Sequence, residues 1–331
     1  MPAWLQEIDC TTPEEFLNEV VGAGPRWLRS QAIGSEWLHR GMGNADWQLL
    51  PSLWRPLVAG GDLYTFVQTI SQHAGWPDLM ASYEQAGNKL ITLVSQPLVD
   101  ELKSSMSQLQ IDEREQAFLA QWAVELRLLH DFWQICDSVG HAVDPPEWVK
   151  LEMSFRDAVV KPYLTDDLFS GALAATAQHH GVPTRLLDWT TRPLVAAFFA
   201  AENPSGDQIA VWSMPIAAIR KTRLQLHRPP RYRLPNLHAQ AGCFVWDVWP
   251  FGHFCKYGEF PSQESAFGEA GFTVPTVRKI KLPKEKAGAV IAILWKEGVS
   301  RAHLMPNFDN AARSLLTSMD WRDPAGIFDD H

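Results

Sequence analysis

The chain has 331 residues, of which 46% are hydrophobic, and it includes 15 Trp, 16 Phe and 5 Tyr. So many apolar rings exclude a disordered chain, because they have to be buried away from water. The net charge of −9 excludes a protein that attracts nucleic acid over its whole surface, since a negative surface repels polyanions.

The sequence indicates no membrane, disulfide or metal chemistry. It begins without a secretory signal and has no apolar stretch of about 18 residues, the minimum for a membrane helix. Its four cysteines are too scattered for a disulfide scaffold, and we expect a cytoplasmic protein with reduced thiols. No metal site is predicted, because ligand spacing is irregular among the metal-capable residues His238, Cys243, His253 and Cys255.

Helical patterns dominate the first half of the chain. Thr11 to Leu28 has a capping threonine, an early proline and acidic residues near its start, all of which favour a helix. A short strand is predicted over Glu36 to Gly41, followed by helices from Tyr64 to Gly140. Within that region, Asp112 to Cys136 has the clearest amphipathic pattern, with apolar residues at three- or four-residue spacing.

The second half alternates between short elements and then becomes mostly strand. Helices are predicted over Leu168 to His179 and Leu194 to Ala201, on either side of a strand from Arg185 to Trp189. Four further strands and a last helix are predicted over Gln208 to Met214, Gly242 to Trp249, Phe272 to Leu282, Ala289 to Trp295, and Asn310 to Ser318. The predicted fold class is α+β, with a helical N-terminal half packed on a mixed or antiparallel β-sheet core.

The strand from Trp37 to Gly41 carries the first candidate site. It delivers Arg40 to the edge of a sheet, and Gly41 allows backbone or a ligand to approach closely. An arginine there suits a phosphate or carboxylate, which its guanidinium can hold through two parallel hydrogen bonds. The alternative is an arginine that pairs with an internal Asp or Glu and holds the loop in place.

A dense polar segment from Ala177 to Pro193 carries the second candidate site. It places histidine, arginine, aspartate and threonine between two apolar helices, as where a strand end and a helix start converge on a ligand. A buried polar network would produce the same density. In that alternative, Asp188 pairs with Arg185 or Arg192. Thr191 then caps the next helix.

Together, these segments resemble the FRG domain, a family named for a Phe/Tyr-Arg-Gly motif. The matching segments are Arg40-Gly41 with Leu49 to Arg55, Glu125 to Gly140, Gln178 to Thr191, and Gly298 to Asp309, in that order. His39 stands where the family name expects an aromatic residue. Because the family is common in bacteria and phages, the resemblance implies a toxin or phage-defence role.

The resemblance also implies a domain organisation. One FRG domain is expected over residues 33–316, with a helical insertion at about 64–165. A helical extension over residues 1–32 would precede it, and a tail over residues 317–331 would follow it.

The chain is more distantly similar to ADP-ribosyltransferases. These enzymes place an Arg-Gly pair on one strand and Ser/Thr residues at the end of another strand, which leads into a helix. Here Arg40-Gly41 would be the first element and Asp188 to Ala200 the second. This resemblance implies an ADP-ribosyltransferase-like enzyme with NAD as substrate: arginine holds the pyrophosphate, hydroxyls hold the ribose, and aromatic faces hold the nicotinamide.

The two candidate segments and this similarity together predict one cleft that holds NAD. The catalytic residues are expected to be Arg40, His180, Thr190 and Gln240. The NAD-binding residues are expected to be Arg40, Gly41, Gln178, His179, Thr184, Arg185, Asp188 and Thr191. The Glu-x-Glu or Gln-x-Glu motif of those enzymes does not occur after Thr191, which leaves Gln240, Glu259 and Glu264 as candidates for its role.

A basic segment indicates a different class of function. No acidic residue occurs between Met214 and Asp247, and the segment contains Arg220, Lys221, Arg223, Arg228, Arg231 and Arg233. Such a run can follow a phosphate backbone, so a non-enzymatic nucleic-acid or protein-binding module is the alternative function. Nucleic acid could equally be the macromolecule that a transferase modifies. A solvated, extended loop is the simplest explanation of the segment.

Overall fold

The computed structural model describes residues 2–22, 37–55, 113–143, 171–229 and 234–319. The chain divides into two units, and each is described by itself. The sheet unit consists of Met1–Gln48, Asp188–Val245 and Glu264–His331. The helical unit consists of Leu49–Leu187 and Trp246–Gln263.

A seven-stranded sheet, counted over the described residues, forms the framework of the sheet unit. Its strands are β1 (Leu5–Asp9), β2 (Trp37–Met42), β3 (Leu187–Thr190), β4 (Gln208–Pro215), β5 (Leu224–His227), β6 (Gly242–Asp247) and β7 (Val277–Pro283). Their order is β1-β7-β4-β2-β3-β6-β5. The β1–β7 pair is parallel, whereas β7–β4, β4–β2 and β2–β3 are antiparallel. The sheet is therefore mixed, and β2 lies between β4 and β3.

Along the chain, helices separate these strands and follow the last of them. In chain order they are α1 (Pro13–Gly22), α2 (Glu113–Ser138), α3 (Ala172–His179), α4 (Pro193–Glu202), α5 (Ile216–Ile219), α6 (Pro235–Ala239), α7 (Pro250–Tyr257), α8 (Gln263–Glu269), α9 (Ala287–Lys296), α10 (Arg301–Leu304) and α11 (Phe308–Ser318). None of the helices in the described part of the chain combines the length and the apolar character needed to cross a bilayer.

The core of the sheet unit is formed by residues of α1, α4 and α9 together with residues of β4 and β7. Phe16 and Val20 of α1 and Leu294 of α9 are completely buried in this cluster. Helix α4 contributes mainly alanines, whose small side chains let its backbone lie close to the sheet. Helix α1 begins as its sequence predicts: Thr12 Oγ1 accepts from the Glu15 amide at 3.2 Å, which satisfies a donor of the first turn.

The core of the helical unit is aromatic. Phe118 and Trp122 of α2 are buried, and the Phe118 ring meets those of Phe251, Phe254 and Phe260 with centroids 5.1 to 6.1 Å apart. The remaining buried residues of the stripe on α2, such as Leu126 and Leu129, recur at the spacing that the sequence predicts. Burial of this stripe fixes which face of α2 points inward.

The α+β class and the mixed sheet are confirmed, as is the long amphipathic helix. The predicted residues 23–28 of the first helix, and 64–112, lie outside the described residues. The strand predicted over Ala289 to Trp295 is wrong, since these residues belong to α9. The apolar run reads as a buried strand, but its buried residues Ala287, Val290 and Leu294 follow the three- and four-residue spacing of a helix.

Candidate functional site

The two sequence motifs meet on neighbouring strands of the sheet unit. Arg40 is on β2, and Asp188 is on β3, which pairs with β2 through His39 and Thr190. Arg40 Nη1 donates to the Asp188 carbonyl oxygen at 2.5 Å and lies 3.8 Å from the Asp188 carboxylate. The Arg40 side chain is 12% exposed and that of Asp188 is 57% exposed. The guanidinium is therefore largely buried, whereas the carboxylate that it approaches lies at the surface.

Gly41 approaches backbone rather than open space. A Cβ placed there would lie 2.0 Å from the carbonyl oxygen of Ala196 and 2.5 Å from the amide nitrogen of Ala200. Both atoms belong to α4, the helix that begins directly after the second motif. The glycine of the Arg-Gly pair therefore lets α4 pack on β2 next to Arg40, which ties the two motifs together structurally.

The end of β3 is fastened to the turn before β6. The Thr190 hydroxyl donates to the Gln240 carbonyl at 2.6 Å and accepts from the Arg192 amide at 3.0 Å. The Thr191 amide donates to the Ala241 carbonyl at 3.3 Å. The Gln240 side chain donates to the Leu304 carbonyl at 3.2 Å. The predicted site residues Thr190, Thr191 and Gln240 are thus brought together, and these polar contacts join them to other parts of the sheet unit.

His39, which replaces the expected aromatic residue, is buried in the middle of the sheet. Its Nδ1 lies 2.8 Å from the Ser213 hydroxyl, and 2% of its surface is exposed. Burial lowers the pKa of His39 to about 4, because the charged imidazolium would lose its hydration. The side chain is therefore neutral at pH 7 and supplies a hydrogen bond within the core beside Arg40.

We expect His39 to make the fold acid-sensitive. The unfolded chain binds a proton near pH 6.5, whereas folded His39 binds one only near pH 4, so stability is lost as the pH falls through that window. The loss at pH 5 relative to pH 7.5 is about 2 kcal/mol. Urea unfolding of wild type and His39→Gln at both pH values measures it.

The variant should lose this part of the pH dependence, while the exposed His180→Gln serves as the matched control and should keep it. Equal pH dependence in wild type and His39→Gln would contradict the burial of a neutral imidazole.

Arg185 takes part in a buried network of the helical unit. Its Nε and Nη2 lie 2.7 and 2.5 Å from Glu125 Oε2, and both side chains are 1% exposed. Trp54 Nε1 donates to the other Glu125 oxygen at 3.0 Å. The guanidinium also lies over the ring of Trp122, with its carbon 4.7 Å from the ring centroid. Of the two explanations for this segment, a buried polar network accounts for Arg185, although its partner is Glu125 rather than Asp188.

The remaining predicted residues of the second motif lie where α3 ends. Gln178 Oε1 accepts from the Thr184 hydroxyl at 2.8 Å, which holds the following loop against the helix. His179 and His180 stack edge to face, with ring centroids 5.5 Å apart, and His180 is exposed. Gly181, at φ +86°, ends the helix in the left-handed conformation that favours glycine. Gln178, His179, His180, Thr184 and Arg185 belong to the helical unit, whereas the Arg40 cluster belongs to the sheet unit.

In the fold, an acidic residue from elsewhere in the chain neutralises part of the positive charge of the basic segment. Arg223 forms an ion pair with Glu269, and its Nη2 donates to the Ser265 hydroxyl at 2.7 Å. Arg220, Lys221 and Arg228 are exposed. Arg231 and Arg233 lie outside the described residues.

Sequence reasoning missed Glu125 as the partner of Arg185. The sequence does indicate such a partner, because Glu125 lies within the apolar stripe of α2, and a carboxylate there needs a buried partner. Of the carboxylate candidates, Glu259 is exposed in the helical unit and Glu264 is half-buried in the sheet unit. Among the described residues, no group of three or more His, Cys, Asp or Glu side chains is placed to hold a metal ion.

Comparison with known families gives a match that covers the second motif. The model of the FRG domain matches residues 101–208. The chain contains an FRG domain. The matched residues include Glu125, Arg185 and the segment from Gln178 through α4, so the Glu125–Arg185 pair belongs to the matched part, whereas Trp54 lies outside it. Arg40 lies outside the match, as does the segment from Gly298 to Asp309. No curated protein and no solved structure matches the chain.

Proposed function

We propose that this FRG-domain protein binds NAD through Arg40 and transfers its ADP-ribose to a macromolecule. The observation that carries the proposal is the contact between Arg40 and Asp188, because it joins the Arg-Gly pair to the strand that ends at Thr190, directly before Thr191. A guanidinium at such a junction suits a pyrophosphate, which it can hold through parallel charge-assisted hydrogen bonds.

Binding of a pyrophosphate requires a local exchange of partners. The Asp188 carboxylate lies 3.8 Å from Arg40 and is more than half exposed, so the exchange takes place at the solvent-facing side of the guanidinium. A phosphate that takes its place brings more negative charge to a guanidinium that is only 12% exposed. The exchange is favourable because a pyrophosphate offers more negative charge than one carboxylate and can accept two parallel hydrogen bonds from the guanidinium.

The proposed reaction breaks the bond between nicotinamide nitrogen and ribose C1, and nicotinamide leaves with the bonding electron pair. A nucleophilic oxygen or nitrogen of the acceptor forms the new bond to C1 and loses its proton to solvent or a nearby base. A carboxylate stabilises the cationic, oxocarbenium-like transition state. We assign this role to Asp188 once it is displaced from Arg40.

We expect NAD to stabilise the wild-type protein through Arg40. At a concentration one hundred times its Kd, NAD should raise the free energy of unfolding by about 2.7 kcal/mol. Arg40→Gln should weaken binding about tenfold or more, because it removes a charge-assisted hydrogen bond. Thermal unfolding with and without NAD measures the effect, and release of nicotinamide measures turnover.

Arg220→Gln is the matched control, since it removes an exposed cation of the same unit and should leave the NAD response unchanged. No shift of the wild-type melting temperature at millimolar NAD would refute the proposal. Salt-sensitive retention on an oligonucleotide, lost in Arg220→Gln/Lys221→Gln, would favour the binding-module alternative. A toxin role adds the expectation that wild type arrests growth when expressed and Arg40→Gln does not.

A further inference from the structure

A pocket opens in the sheet unit, and the proposed NAD chemistry does not use it. Its volume is about 320 Å³, which is the lower end of the range for small-molecule sites. It lies between the C-terminal end of α4, helix α9 and helix α11. Its lining includes Phe198, Glu202, Ile291, Trp295, Arg301 and Arg313.

One wall of the pocket is apolar and partly aromatic. Phe198 and Trp295 present rings to it, and Ile291 and Val299 add aliphatic surface. At the rim, Leu316 is 64% exposed although it lines the pocket. Helix α11 turns its polar residues inward, so apolar surface is left uncovered on this side of the fold. A flat apolar ligand would cover part of that surface.

The other end of the pocket is charged, and its charges do not cancel. Glu202 Oε1 accepts from Arg301 Nε at 2.6 Å, and Arg301 also lies 3.4 Å from the Asn310 side chain. Arg313 is close enough to lower the pKa of Glu202, opposing the rise that burial causes. Among the described residues, however, the Arg313 guanidinium forms no hydrogen bond or ion pair, which leaves one positive charge at the mouth without a direct partner.

We propose that this pocket binds a small aromatic monoanion. The ring lies against Phe198 and Trp295, and the carboxylate or sulfonate pairs with Arg313. An anion is favoured over a cation because two arginines face a single glutamate, and that glutamate is already bound to Arg301. Binding of the anion does not depend on NAD binding at Arg40, so an experiment can refute one of the two proposals and leave the other standing.

The test compares naphthalene-2-carboxylate with its neutral carboxamide, which has the same ring but no charge. Isothermal titration of the full chain should give binding of the carboxylate at submillimolar concentration, and binding of the carboxamide at least tenfold weaker. Arg313→Gln should weaken the carboxylate at least tenfold and leave the carboxamide unchanged. Arg313→Lys should retain part of the affinity, because it restores the charge without the planar fork.

Two further variants keep the outcome interpretable. Lys296→Gln removes an exposed cation on α9 that does not line the pocket, and it should bind as wild type does. Ile291→Trp fills the cavity, so it should abolish binding of both compounds while thermal unfolding verifies that the variant is folded. The proposal is overturned if wild type binds neither compound at 1 mM, if both compounds bind equally, or if Arg313→Gln binds the carboxylate unchanged.

Discussion

Glu125→Ala is expected to destabilise the helical unit by about 3–5 kcal/mol. The substitution leaves the Arg185 guanidinium buried at 1% exposure between Trp122 and Trp54 without its carboxylate. It also removes the acceptor of the Trp54 indole N–H. Loss of the carboxylate costs far more than the pair contributed, because the desolvation of the buried cation is then no longer offset by this ion pair. Urea denaturation of the full chain measures the loss.

Three further variants distinguish the loss of charge from the loss of packing. Glu125→Gln keeps an oxygen for Trp54 but removes the charge, so it should fall between wild type and Glu125→Ala. The double variant Glu125→Leu/Arg185→Met should recover most of the stability, since apolar residues of similar size often replace a buried ion pair at little cost. Asp137→Ala, at an exposed position of the same helix, should change stability by less than about 0.5 kcal/mol. Wild-type stability in Glu125→Ala would contradict the buried pair.

The local elements of the fold were predictable because their signals are local. The spacing of Phe118, Trp122, Leu126 and Leu129 specifies one face of α2, and that face is buried. The strand carrying Arg40 was likewise predictable from its neighbours in sequence. The pairing of the strands was not predictable. Strand β2 lies between β3 and β4, whose residues are about 150 or more positions away in the chain. No local pattern encodes which strands pair with each other.

The partners of the site residues depend on the same long-range pairing. Arg185 bonds to Glu125, 60 residues earlier in the chain, and Arg40 bonds to Asp188, 148 residues later. From the sequence, Asp188 is equally compatible with the nearer cations Arg185 and Arg192. Only the register that places His39 opposite Thr190 brings Arg40 to Asp188. The residue types at the site were therefore predictable, and the pairs that they form were not.

Gly41→Ala tests whether the two motifs depend on each other through packing. The new Cβ would lie 2.0 Å from the Ala196 carbonyl oxygen, and it can be accommodated only if α4 moves away from β2. Both contacts are with backbone, so no side-chain rotation relieves them. Because α4 carries much of the buried core, we expect a loss of about 3 kcal/mol or more, the upper end of the cost of overpacking. Urea denaturation measures it.

Gly288→Ala provides the matched control, since it makes the same substitution in a helix where a Cβ meets no atom within 4 Å. It should stabilise the protein by about 0.5–1 kcal/mol, because alanine loses less backbone entropy in a helix than glycine. Displacement of α4 in Gly41→Ala should also weaken NAD binding. The helix begins at Pro193, three residues after the end of β3, and β3 carries the Asp188 that contacts Arg40. Wild-type stability in Gly41→Ala would mean that α4 does not pack on Gly41, and the glycine would then be open to a ligand instead.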